Sequence, residues 1–144
     1  MANEQTPEEI EQTKKLQKKF YAFQVLEEQT KSLYDQLLRF DEQLISITNI
    51  QNDLETFSKT QVDSEMLVPV ANGIFVKAKV VNTKDFIVNV GSGVAVNKNV
   101  TDTKKLLEIQ ATEIQNYKVQ LSAQIQLNTI KLQDFEKDLA VLIK

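Results

Sequence analysis

Residues 66–97 read MLVPVANGIFVKAKVVNTKDFIVNVGSGVAVN, and this stretch decides the fold. It contains all three glycines of the chain and one of its two prolines. Glycine readily adopts the positive φ that tight turns need, whereas proline breaks the interior of a helix. Apolar residues recur at every second position, which is the periodicity of a strand. The stretch therefore predicts β-structure in the middle of the chain.

Two turn signals divide this stretch into two β-hairpins. Asn72-Gly73 favours a two-residue hairpin turn with positive φ at both positions, and Gly91-Ser92-Gly93 marks a second, longer reversal. Pro69 cannot donate a hydrogen bond to a neighbouring strand, so it indicates an edge strand. The predicted strands lie at 66–71, 74–81, 86–90 and 94–97.

Helical heptads precede the hairpins. Thr6, Pro7 and Glu9 form the signal of a helix start with a capping box. From Leu16 onward, mostly apolar residues alternate at spacings of three and four, without an internal Gly or Pro, which predicts a coiled-coil helix over residues 7–60. The seam positions are Leu16, Lys19, Phe23, Leu26, Thr30, Leu33, Leu37, Phe40, Leu44, Ile47, Gln51 and Leu54.

The heptad pattern returns after the hairpins. Thr101, Asp102 and Thr103 are candidate N-caps where the period changes, and the pattern predicts a second helix over 103–143. Both helices leave the hairpin region, so we expect them to pair as an antiparallel coiled coil. The expected fold is α+β, mostly α, with residues 1–144 in a single domain. The second seam is Leu107, Ala111, Ile114, Lys118, Leu121, Ile125, Asn128, Leu132, Phe135, Leu139 and Leu142.

The hairpins carry apolar residues on both faces and are too small to build a core of their own. We therefore expect the hairpins of several chains to join edge to edge in an oligomeric β-barrel, which removes the exposed strand edges. The residues expected to be covered by other chains are Val76, Val80, Phe86, Val88, Val90, Val94 and Val96.

Apolar residues at the end of the coil that holds both termini, some on the seams and some outside them, mark a candidate contact surface. Antiparallel pairing brings the start of the first helix near the end of the second, where few neighbours exist, so we expect an apolar patch that suits apolar partners. Its residues are Phe20, Tyr21, Phe23, Phe135, Leu139, Val141 and Ile143. The alternative is a wider buried stripe. We expect this alternative at Tyr34, Leu38, Ile45 and Val119.

The composition argues against several classes of function. The chain has 144 residues, a formal net charge of -3 and no long basic run, so binding to nucleic acid or to an anionic membrane is not expected. No apolar run is long enough to span a membrane, and the first residues are polar, so we expect neither a transmembrane helix nor a signal peptide. We expect a cytoplasmic protein.

Catalytic chemistry finds little support in the sequence. The chain has no His and no Cys, and Gly91-Ser92-Gly93 lacks the lysine of a phosphate-binding loop at the required spacing. The carboxylate pairs Glu8-Glu9 and Glu27-Glu28 lie on predicted helix surface, where solvated charge is the ordinary interpretation. We therefore expect no enzyme activity, no cofactor and no metal site.

The central stretch resembles the α-class subunit of prefoldin. The resemblance rests on Leu-Val-Pro at 67–69, Phe-Val-x-Ala-x-Val at 75–80 and Val-x-Val-Gly-x-Gly at 88–93. It implies a double β-barrel platform of two α-class and four β-class subunits. The family's coiled-coil tips grip non-native polypeptides without ATP and deliver them to a group II chaperonin. Two alternatives remain open, namely a coiled-coil tether or spacer and a filament-forming prefoldin variant.

Overall fold

The computed structural model describes residues 4–143, with the side chain of Ile143 outside the description. Two long helices enclose two hairpins in chain order, which confirms the predicted architecture. The elements are α1 (Pro7–Ser58), β1 (Glu65–Ala71), β2 (Ile74–Lys79), β3 (Asp85–Gly91), β4 (Val94–Asn99) and α2 (Val100–Ile143). They form two compact units, a terminal unit up to Asp41 and from Gln115 onward, and a hairpin unit over Glu42–Ile114.

The capping box predicted at the start of α1 is confirmed. The Thr6 amide donates to Glu9 Oε2 at 3.0 Å, and the Glu9 amide donates to Thr6 Oγ1 at 3.3 Å. At the other end, α1 stops at Ser58 rather than residue 60. The amides of Lys59 and Thr60 donate to carbonyls three residues back, which tightens the last turn and ends the helix.

Helix α2 begins three residues earlier than the sequence predicted. Asn99 acts as the cap, because its Oδ1 accepts from the Asp102 amide at 2.8 Å and its carbonyl accepts from Thr103 Oγ1 at 2.7 Å. The prediction of a cap among residues 101–103 was wrong. Asn99 is also the last residue of β4, so the strand passes directly into the helix.

The predicted heptad seams are confirmed as the buried stripes of both helices. Every seam position of α1 is buried or half-buried, and the same holds for α2 except at Leu142, its last seam position. Ile47 and Ile125 are the buried apolar residues of the helices, and Thr30 and Asn128 are buried polar residues in the same stripes. The stripes are thus covered within the chain itself.

Ion pairs show how the helices of the terminal unit run. Lys19 Nζ lies 3.5 Å from Asp138 Oδ2, and Lys118 forms an ion pair with Asp41. As α1 advances from Lys19 to Asp41, its partner on α2 moves backward from Asp138 to Lys118. The helices of this unit therefore pair antiparallel, as predicted.

The stripes are narrower than expected. Tyr34, Leu38, Ile45 and Val119 were expected to widen the core, but all four are exposed. That prediction was wrong because residues 4–143 supply no third layer against which these side chains could pack. A two-helix coil covers its central stripe and leaves the flanking positions in water.

Each hairpin is a separate antiparallel two-stranded sheet, with β1 paired to β2 and β3 paired to β4. The turns differ from prediction. At the first turn only Gly73 has positive φ, so the expected turn with both Asn72 and Gly73 in that region was wrong. At the second turn Gly91 pairs with Val94, and Ser92 and Gly93 between them have φ of 52° and 74°, so the turn has two residues and the expected longer reversal was wrong.

The small core of the hairpin unit lies where α1 meets the sheets. Val80 is only 5% exposed, its amide donates to the Ser64 carbonyl at 3.0 Å, and its carbonyl accepts from the Asp63 amide. The rings of Phe57 and Phe86 lie 5.7 Å apart at a tilted angle, so the last turns of α1 contact the second hairpin. Strand β2 ends at Lys79 instead of residue 81, just before this junction.

Candidate functional site

An apolar groove opens on the terminal unit. It is lined by Leu16, Gln17, Phe20, Tyr21 and Gln24 from α1 and by Leu139 from α2, and its volume is about 490 Å³. Leu16 and Leu139 are half-buried seam residues, whereas Phe20 and Tyr21 are 51% and 69% exposed. The groove therefore has an apolar base on the seam and two aromatic rings that solvent reaches.

Helix geometry explains this lining. Residues three and four positions apart share a face, so Leu16 lies beside Phe20, and Tyr21 lies about one turn from both Gln17 and Gln24. Leu139 comes from the last turns of α2, which the antiparallel pairing places against the first turns of α1. The sequence thus produces the groove through two patterns, the seam and a second apolar face beside it.

The groove is suited to binding apolar side chains rather than to bond chemistry. Its lining contains no ionisable carboxylate, lysine or histidine. Burying a large apolar side chain contributes roughly 1.5–3 kcal/mol, so a single short apolar segment would bind weakly and reversibly. The amides of Gln17 and Gln24 can donate to and accept from the main chain of such a segment.

The predicted patch residues fall into three groups. Phe20, Tyr21 and Leu139 meet in the groove. Phe23 and Phe135 are half-buried on the seam, and Phe135 lines a smaller recess with lysine and aspartate side chains. Val141 is exposed but does not line the groove, and the side chain of Ile143 lies outside the described residues.

Three lining residues were missing from the sequence prediction. Leu16 was assigned to the seam alone, although a seam residue at the edge of the coil also forms the base of the groove. Gln17 and Gln24 carried no apolar signal. Their spacing on either side of Tyr21, on the same helix face, is the signal that could have identified them.

The strands present a second candidate surface. Among the predicted residues, Val76, Val90, Val94 and Val96 are exposed, Phe86 and Val88 are half-buried, and Val80 is covered by its own chain. Leu67, Phe75 and Ile87 are also exposed but were not singled out. They lie on the opposite faces of the same hairpins, where the alternating pattern could have indicated them. Both hairpins therefore present apolar side chains on two faces.

Within residues 4–143, no cluster of carboxylates has the arrangement of a metal site. Within the same range, no helix combines the length and hydropathy needed to cross a membrane.

Comparisons with known proteins agree with this architecture. A family model described as a prefoldin subunit matches residues 26–144. Prefoldin subunit alpha 1 of Thermococcus kodakarensis is 33% identical over 103 residues, which cover 72% of this chain and 70% of that protein. A chain of filamentous prefoldin from Methanocaldococcus jannaschii aligns with a TM-score of 0.74 at 19% identity, over 81% of this chain and 97% of that one.

Proposed function

Because this chain belongs to the prefoldin family, we propose that it is a chaperone subunit that holds non-native polypeptides, without ATP, in the groove of its terminal unit. The observation that carries the proposal is the exposure of Phe20 and Tyr21 beside the apolar base formed by Leu16 and Leu139. In the proposed role the protein is a cytoplasmic, non-enzymatic subunit.

The groove suits non-native chains because such chains expose apolar side chains that a folded protein buries. A shallow groove without charged lining accepts many apolar sequences, since it demands shape and hydrophobicity rather than a particular set of hydrogen bonds. Each contact is weak. Several grooves held on one platform bind a single long client together, so effective concentration replaces individual affinity.

The hairpins build the platform in this proposal. They pair with hairpins of other prefoldin subunits, of which the β-class is the expected partner, and form an oligomeric β-barrel. The interface residues we propose are Val76, Phe86, Val88, Val90, Val94 and Val96, together with the exposed Leu67, Phe75 and Ile87. We leave Val80 out of this set because its own chain already covers it.

Release follows from the same weak contacts. No nucleotide is required, because a client held by several shallow grooves leaves them one at a time. In the proposed role the client passes to a group II chaperonin, which competes for the apolar segments as each groove lets go.

The experiment compares two double variants of the full-length chain. Phe20→Ser with Tyr21→Ser removes the aromatic rings of the groove, whereas Tyr34→Ser with Leu38→Ser removes a similarly exposed apolar pair elsewhere on the same helix. Suppression of aggregation of chemically denatured citrate synthase is followed by light scattering. We expect at least a threefold loss for the groove variant and no more than a small change for the control.

Equal losses in both variants would mean that clients bind apolar surface anywhere along α1. Unchanged suppression in the groove variant would place the client site elsewhere. Mass measurement by light scattering shows whether each variant still assembles, so that a loss of binding is separated from a loss of the platform.

A second candidate function is a filament-forming variant. The observation in its favour is the match to a chain from a filamentous prefoldin. The mass of the assembly is measured for the chain alone and for the chain mixed with a β-class partner. A filament former assembles without a partner, whereas a subunit of a mixed oligomer needs one. The third possibility is a passive tether or spacer, which would bind no denatured protein either alone or with a β-class partner.

A further inference from the structure

The outer face of α1 around Tyr21 has a charge pattern that is complementary to itself. Lys14 lies seven residues before Tyr21, and Glu28 lies seven residues after it. Seven residues are close to two helical turns, so all three side chains lie on nearly the same face of the helix. All three are exposed.

These charges are not paired within the described part of the chain. The ion pairs there join Lys19 to Asp138, Lys104 to Glu55, and Lys118 to Asp41. Lys14 and Glu28 take part in none of them. Their charges, and the ring of Tyr21 between them, therefore face solvent in the single chain.

We propose that this face binds the same face of a second copy, antiparallel, around a two-fold axis at Tyr21. In that arrangement each residue meets the residue equally far on the other side of Tyr21. Lys14 lies opposite Glu28 of the second copy, and the reverse pair forms at the other end. The two Tyr21 rings meet at the axis, and Gln24 lies opposite Lys18 of the second copy.

A second copy fits this face better than an arbitrary apolar partner. When it lies antiparallel, its Glu28 lies opposite Lys14 and its Lys14 lies opposite Glu28. A parallel arrangement in register would place Lys14 against Lys14 and Glu28 against Glu28, which is repulsive at both ends. The sequence thus selects the antiparallel orientation.

We expect the contact between the two copies to be weak. Exposed ion pairs contribute little and are screened by salt, and the apolar part of the face is small. Pairing would nevertheless cover Tyr21, which lines one side of the groove. An empty groove would then be closed by a second copy and reopened by any ligand that binds it more tightly.

The chain has no cysteine, which allows a direct test by cross-linking. Tyr21→Cys places a thiol at the proposed axis. Lys15→Cys places one at another exposed position of the same helix, about 120° around it. Under copper-phenanthroline oxidation of the full-length protein at low salt, we expect the covalent dimer to form at least fivefold faster for Tyr21→Cys.

Charge reversal tests the orientation. In the Tyr21→Cys background, Lys14→Glu or Glu28→Lys should each slow cross-linking about fivefold, because each replaces two attractive pairs by two repulsive ones. The double variant should restore the original rate. A double variant as slow as the single ones, or a Lys15→Cys protein that cross-links as fast as Tyr21→Cys, would overturn the proposal.

The measurement needs no client, so its outcome is independent of the chaperone role proposed above. The substituted side chains are exposed, and circular dichroism of each variant confirms that the helical content is kept. The Lys15→Cys control also accounts for the high local concentration that assembly through the hairpins would create.

Discussion

The heptad seams and the hairpin strands are both periodic and apolar, yet the chain buries only one of them. Ile125 on the seam is 6% exposed, whereas Ile87 on β3 is 81% exposed. A seam is one stripe, and the other helix of the same chain supplies its partner. A two-stranded sheet has two faces and two edges, and one small chain cannot cover them all. The helices therefore bury their stripes by intramolecular contacts, while the strands leave large apolar side chains exposed.

The largest effect is expected on the strands that we propose as the interface with other chains. Val90→Asp would place a charge in the proposed barrel, and burying an unpaired charge costs several kcal/mol in every copy. We expect the oligomer to be lost while the helical circular dichroism signal remains. Light scattering after size-exclusion chromatography measures the mass.

Gln61→Asp is the matched control for this variant, because it adds the same charge at an exposed position of the same unit but outside the strands. It should assemble normally. A full-size oligomer formed by Val90→Asp would show that the second hairpin is not an interface.

An intermediate effect is expected on the seam. Ile125→Ala should lower the free energy of unfolding by about 2–5 kcal/mol, because it leaves a cavity in the buried stripe. Leu127→Ala removes an exposed side chain two residues away and should change the same quantity by less than about 0.5 kcal/mol. Urea denaturation followed by circular dichroism measures both, and equal effects would contradict the buried-stripe assignment.

The smallest effect should have the opposite sign. Asn128 is 4% exposed, and its Oδ1 accepts from Gln124 Nε2 at 2.9 Å. Because a buried amide at a seam position lowers stability while it specifies register, Asn128→Leu should raise the free energy of unfolding by about 1 kcal/mol. Gln124→Leu, which removes the partner and leaves the amide buried, should not stabilise. A decrease for Asn128→Leu would mean that the amide contributes net stability.

Local signals in the sequence predicted the features that depend on neighbours along the chain. The capping box at Thr6 needs only four consecutive residues, and the seams need only a regular spacing within each helix. The hairpins were likewise indicated by alternation and by glycine at the turns. These features were predicted because the contacts that stabilise them join residues that are close in the sequence.

Features that depend on contacts across the chain escaped prediction. Val80 continues the alternation of β2, but its burial comes from the segment that links α1 to β1. Leu16 forms the base of the groove only because Leu139 reaches it from the other helix. Tyr34 and Leu38 looked like core residues on spacing alone, and only the missing third layer leaves them in water.

The two-stranded form of each sheet also limits how many neighbouring strands each hairpin can bind. Each hairpin has two strand edges, so it can pair with one neighbouring strand on each side. Hairpins joined edge to edge form either a closed ring or an open polymer, and the rotation between neighbouring hairpins decides which one forms. In an assembly of this kind, a modest change in the rotation at each edge contact would turn a closed ring into a fibre.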